Sequence, residues 1–165
     1  MAPWQLLIFD WGDTIMRDFP DLPGSMAFWP RVEAISGAAE ALAALSPIYP
    51  CCLASNAGAS DAALMGQALE RVGLRQYFRH LYTSKELGAA KPSPDFFLGV
   101  CQRVGVDPAA CVMIGNDYAK DIAGARAVGI RTVWLAADPG PGPHPAADVI
   151  IATLADLPGA LSHLH

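Results

Sequence analysis

Polar residues close several short apolar runs in this sequence. The run Leu6–Phe9 ends in Asp10-Trp11-Gly12-Asp13-Thr14. Another run ends in Leu53-Ala54-Ser55-Asn56. A third ends in Met113-Ile114-Gly115-Asn116-Asp117, with Asp121 four residues further on. Between the last two lies Ala89-Ala90-Lys91-Pro92-Ser93-Pro94. If the runs are parallel strands, these ends share one sheet edge and gather carboxylates, a lysine and a Ser-Asn pair around one point. Three carboxylates with backbone oxygens suit Mg2+, which takes one or two carboxylates and keeps waters for a phosphate. A neighbouring lysine neutralises an anion and holds a carboxylate ionised. A hydroxyl and an amide at a strand-to-helix turn suit phosphate oxygens. A carboxylate can also act as a nucleophile and form an aspartyl-phosphate.

The elements that must position these groups follow from periodicity. Strands are expected at Gln5–Phe9, Tyr49–Ala54, His80–Thr83, Cys111–Ile114, Arg131–Leu135 and Asp148–Ile151. Most are continuously apolar, as parallel strands covered on both faces are. Helical patterns fall at Val32–Leu45, Asp61–Val72 with Ser60 as N-cap, Pro94–Val104, Tyr118–Val128 and Leu154–Leu164. The alternation predicts an α/β fold: one Rossmann-like three-layer sandwich with a mostly parallel central sheet, over a single domain spanning 1–165. Two irregular segments remain, a short flap at 15–31 and a Pro/Gly-rich loop at 138–145. Both leave strands at the carboxyl edge, where ligands bind in open α/β sheets.

The ordered set FDWGDTI, LASN, AAKPSPDFF and MIGNDYAKDIAGARAVGI resembles the four motifs of the haloacid dehalogenase superfamily, dominated by Mg2+-dependent phosphatases. The resemblance covers residues 6 to about 135. It implies Asp10 as nucleophile and Mg2+ ligand, and Asp117 as a second ligand. Asp121 would ligate the ion or orient its waters. It implies that Ser55, with Asn56 beside it, receives the transferring phosphoryl group, and that Lys91 stabilises the charge on nucleophile and phosphate. The family's general acid usually stands two residues after the nucleophile, where this chain has Gly12. The Gly12 carbonyl still offers a metal contact, but the side-chain role is missing. Asp13 is the substitute that the sequence offers. Larger family members insert a helical cap after the first motif; here only Met16–Arg31 stands there, which implies a capless or minimally capped member open to bulky substrates. The activity implied is hydrolysis of a phosphomonoester, on a small molecule or on an exposed phosphate of a larger one. The alternative left open by Gly12 is a catalytically weak or inactive phosphoryl- and metal-binding regulatory module. Carbon–halogen hydrolysis is a third reading, but it needs an apolar enclosure.

Composition narrows the partners. Apolar residues make up 53% and charged residues 16%, a globular balance. The formal net charge of −5, with scattered Lys and Arg, argues against a nucleic-acid surface. No apolar run reaches membrane-spanning length, and Met1-Ala2-Pro3-Trp4 carries no signal-like core. Cys51, Cys52, Cys101 and Cys111 form no metal-site spacing and read as buried thiols in a reducing cytoplasm. Nothing in the pattern assigns an oligomeric state.

Overall fold

The computed structural model describes residues 3–56 and 58–165; Met1, Ala2 and Ala57 lie outside the described residues, and with them part of the reading of the N-terminus. Six strands form one sheet: β1 (Leu6–Phe9), β2 (Cys51–Ser55), β3 (His80–Thr83), β4 (Cys111–Gly115), β5 (Arg131–Leu135) and β6 (Val149–Ile151). The order is β3-β2-β1-β4-β5-β6 and every pairing is parallel. The helices are α1 (Ala38–Leu45), α2 (Ala62–Arg71), α3 (Ser84–Leu87), α4 (Pro94–Val104), α5 (Gly124–Arg126) and α6 (Leu157–His163). The chain winds one way from β1 through β2 to β3 and the other way from β4 onward. Its topological switch therefore lies between β1 and β4, where such sheets bind ligands.

Alternation along β1 shows how the layers form. Leu7 and Phe9 face one core with α1, α2 and α6; Leu6 and Ile8 face the other with α4 and α5. All four side chains are buried, which is why the strand reads as an unbroken apolar run. Cys51 and Cys52 likewise fall into opposite cores, and all four cysteines are free and buried. Among the described residues no helix is long and apolar enough to cross a membrane.

Several boundaries differ from the sequence reading. Val32–Ile35 is not helical. Ala34 pairs with Met16 in an antiparallel bridge, and the Ile35 N–H donates to Ile15 O at 2.8 Å. Gly37, at φ 85°, then turns the chain into α1. The flap thus captures a stretch whose spacing suits a helix. The cap of α2 is Asp61, whose carboxylate accepts from the Leu64 N–H at 2.9 Å. Ser60 is instead buried against Ser25, 2.8 Å between hydroxyl oxygens. The expected helix from Tyr118 begins as a π-helical turn, Tyr118–Ala123, before α5. Short α3 was not anticipated; a capping box of Thr83 and Glu86 opens it.

Candidate active site

Asp10 follows β1 directly, and its N–H donates to Ile114 O on β4 at 3.0 Å, so the switch point itself holds the residue. The next residues form a tight turn in which Thr14, Ile15 and Met16 all donate backbone N–H to Trp11 O. That turn brings the Thr14 hydroxyl to 3.3 Å from Asp10 Oδ2 and 3.1 Å from Asn116 Oδ1.

Lys91 enters from the loop before α4. Its backbone is clasped by Asn56: the Lys91 N–H donates to Asn56 Oδ1 at 2.7 Å, and Asn56 Nδ2 donates to Lys91 O at 3.0 Å. Lys91 is 5% exposed, and its ammonium meets three acceptors: Asp10 Oδ1 at 2.7 Å, Asp121 Oδ1 at 2.8 Å and Ala54 O at 3.2 Å. Three donors thus face three acceptors, the condition for a buried ammonium to be tolerated. Burial disfavours its charge, but Asp10 and Asp121 outweigh that and raise its pKa above the ordinary 10.5.

The π-helical turn sets the remaining carboxylates. Asp117 caps it, accepting from the Lys120 N–H at 2.9 Å. Asp121 tucks beneath β4, with one oxygen on Lys91 and the other accepting from the Asp117 N–H at 3.1 Å. Burial first, and the nearby Asp10 charge second, push its carboxyl up to about 6. π-Turns recur at functional sites because they re-aim side chains that a regular helix would place elsewhere.

Asp10, Gly12, Ser55, Asn56, Lys91, Asp117 and Asp121 line one cavity of about 270 Å³, so the structure brings the expected groups together. Asn116, Asp18 and Lys120 also line it, and the sequence reading assigned them no role. Asn116 and Lys120 stand beside Asp117 and Asp121, the only signal that pointed to them. Asp18 belongs to the flap and had none. Asp13 does not line the cavity. It is exposed, at φ 58°, and its carboxylate accepts from the Asp18 N–H at 3.0 Å. The left-handed position is therefore residue 13 and not Gly12, which has ordinary φ.

The residues fit a divalent cation. Four carboxylates against two lysines line the cavity, a surplus of negative charge that a phosphate dianion would meet unless a cation offset it. Among the described residues no three His, Cys, Asp or Glu side chains already form a metal cluster. Lys91 stands between Asp10 and Asp121 and pairs with both. Asp10 and Asp117 with the Gly12 carbonyl would supply the small protein share that Mg2+ asks for.

The family model of the haloacid dehalogenase-like hydrolases matches residues 11–129, beginning just after Asp10 and taking in Ser55, Lys91, Asp117 and Asp121. The chain belongs to this family. As a haloacid dehalogenase-like hydrolase it is similar to glyceraldehyde 3-phosphate phosphatase of Methanopyrus kandleri, 37% identical over 69 residues, which cover 42% of this chain and 30% of that protein. It is similar also to phosphoserine phosphatase of Thermus thermophilus, 36% identical over 72 residues, covering 44% of this chain and 29% of that one. The matched stretch thus spans less than a third of either relative. In three dimensions the hydrolase resembles the crystal structure of an uncharacterized protein from Listeria monocytogenes serotype 4b, with a TM-score of 0.83, 26% identity, and coverage of 97% of this chain and 98% of that one.

Proposed function

We propose that this hydrolase is a Mg2+-dependent phosphatase that cleaves a phosphomonoester through an aspartyl-phosphate on Asp10. The observation that carries the reading is the Lys91 ammonium, 2.7 Å from Asp10 on the wall of the cavity at the switch point. It holds Asp10 in place, and it reduces repulsion between that carboxylate and an arriving phosphate. Asp10, the Gly12 carbonyl and Asp117 would hold Mg2+, with Asp121 behind them fixing both Lys91 and the Asp117 N–H. A bound Mg2+ supplies charge neutralisation for the phosphoryl oxygens. Among the described residues the Ser55 hydroxyl donates to Asn56 O at 3.2 Å, and by rotating it would reach toward a phosphate oxygen. Asn56 contributes by holding the Lys91 backbone. Asp10 attacks phosphorus, the bond to the leaving oxygen breaks, and water then attacks the acyl phosphate to release phosphate and restore Asp10.

Two phosphatase relatives support the substrate class, and the open cavity suits either a phosphorylated small molecule or an exposed phosphate on a larger one. Four unpaired thiols favour action in the cytoplasm. Gly12 favours a second reading, a phosphoryl- and metal-binding module with little or no turnover.

Purified protein with Mg2+ is expected to hydrolyse 4-nitrophenyl phosphate and to lose that activity with chelator. Beryllofluoride with Mg2+ should form a phosphoryl mimic on wild type and not on Asp10→Asn. Trapping without turnover would favour the module. Equal trapping by both proteins would remove Asp10 as nucleophile, and turnover of a haloacid in place of the phosphate ester would overturn the phosphatase reading.

A further inference from the structure

A second cavity of about 240 Å³ adjoins the first and shares Gly12, Asp18, Ser55 and Asn56 with it. Trp11, Met26, Trp29, Gly24, Gly58, Ala59 and Ser60 make up the rest of its lining. An ester whose phosphoryl group lies by Asp10 would have its leaving group in this second space, and its scissile oxygen at the shared wall. Asp18 is the one carboxylate that lines both cavities.

Two further observations single out Asp18. A Cβ built on Gly12 would meet a single neighbour, the Asp18 Cβ, at 3.8 Å. The flap residue therefore begins its side chain beside the place from which a side chain at position 12 would start. The flap is also pinned at that point and just before it. The Asp18 N–H donates to Asp13 Oδ1 at 3.0 Å, and the Arg17 N–H donates to Glu33 O at 2.8 Å. Met16 adds bridges to Gly12 and to Ala34. A loop residue held this way is a defined part of the site.

We propose that Asp18, reaching in from the flap, supplies the proton-transfer group that Gly12 lacks, acting on an uncharged alcohol leaving group seated between Trp11 and Trp29. This rests on the phosphatase reading above. In the first step the Asp10–phosphorus bond forms and the bond from phosphorus to the leaving oxygen breaks. The electron pair goes to that oxygen, and the Asp18 carboxyl gives it a proton, releasing the alcohol. In the second step a water oxygen bonds to phosphorus and the Asp18 carboxylate takes the water proton. The Asp10–phosphorus bond then breaks, giving inorganic phosphate and a regenerated Asp18 carboxyl. Among the described residues the second cavity has no lysine or arginine in its lining, so no cationic side chain there would neutralise a second anionic group on the alcohol. Its two tryptophans and Met26 suit an apolar or aromatic body.

The test compares benzyl phosphate, whose alcohol needs a proton to leave, with 4-nitrophenyl phosphate, whose phenolate leaves readily. Asp18→Asn is expected to lower kcat/KM on benzyl phosphate by about 10²-fold, at the low end of what general acid catalysis contributes. The loss on 4-nitrophenyl phosphate should be at least tenfold smaller. Adding Gly12→Asp to Asp18→Asn should return much of the benzyl phosphate rate, since position 12 has room and ordinary φ. Equal losses on both esters, or no loss on either, would overturn the role of Asp18 and leave the phosphatase reading standing. A wild type that hydrolyses neither ester would overturn both.

Discussion

Gly115 and Asp121 compete for one volume: a Cβ on Gly115 would clash with Asp121 Oδ2 and lie 2.6 Å from its Cβ. The bare backbone at the end of β4 is what lets Asp121 fold beneath the strand and reach Lys91. Gly115→Ala is therefore expected to displace Asp121. The strain should cost about 1–3 kcal/mol. Turnover of 4-nitrophenyl phosphate should fall at least tenfold as the Lys91–Asp121 pair opens. Thermal unfolding alongside the rate measurement checks both. A variant with wild-type rate would show that Asp121 is not needed where it lies.

Lys91 holds together two carboxylates that would otherwise repel each other in a buried space. Lys91→Met should abolish turnover and destabilise the fold by about 3–5 kcal/mol, as removal of one partner from a buried ion pair does. The Lys91 pKa is raised above 10.5. Its contribution is therefore complete at neutral pH and is lost only as pH climbs through that raised value. In the variant the destabilisation should be smaller at pH 5 than at pH 8. Asp121, already pushed up to about 6, then takes up a proton and the repulsion falls. Urea unfolding at the two pH values measures the difference.

Asp13 sits at φ 58° and spends its carboxylate on the Asp18 N–H. Asp13→Gly relieves the backbone but loses that bond, so the two effects, each about 1 kcal/mol, should nearly cancel. Asp13→Ala loses the bond and keeps the strain, and should unfold about 1 kcal/mol more easily than Asp13→Gly. Thermal melts of the two variants decide this. Equal stabilities would mean that the left-handed turn relaxes.

Asp148 ties β6 to β5, accepting from the Thr132 N–H at 2.9 Å and pairing with Arg126 and Arg131. Burial alone would raise its pKa; the Thr132 N–H and the two guanidinium groups outweigh it and hold the carboxyl below its ordinary 3.8. The arginines are about 40% exposed, so their charge is screened and the backbone bond carries more weight. A lowered carboxyl pKa adds stability above the unfolded value near 3.8, and the gain is lost as pH falls through the folded value. Asp148→Asn should cost about 1–3 kcal/mol at pH 7, and the gap to wild type should close in acid. A gap that persists at pH 3 would remove ionisation as its cause.

Much of the fold was legible because its causes are local in the chain. Continuous apolar runs such as Leu6–Phe9 mark strands buried on both faces. The Pro94 start and Gly105 stop of α4 are side-chain properties that act within a turn. The gathering of Asp10, Ser55, Asn56, Lys91, Asp117 and Asp121 also followed from the sequence, because parallel strands put all their carboxyl ends on one edge. Other features depend on residues far apart in sequence. Val32–Ile35 has helical spacing, yet Ile15 and Met16 hold it extended, an interaction that no local window contains. Asn56 looked like a phosphate contact, but its amide closes on the Lys91 backbone 35 residues away. Gly12 and Asp13 showed that a carboxyl was missing from one position and present at the next. Which of them takes the left-handed backbone, and that Asp18 comes to lie beside the gap, depends on the path of the flap. That path is set by hydrogen bonds to Glu33 and Asp13 and by packing around Trp29, and tertiary contact alone decides it.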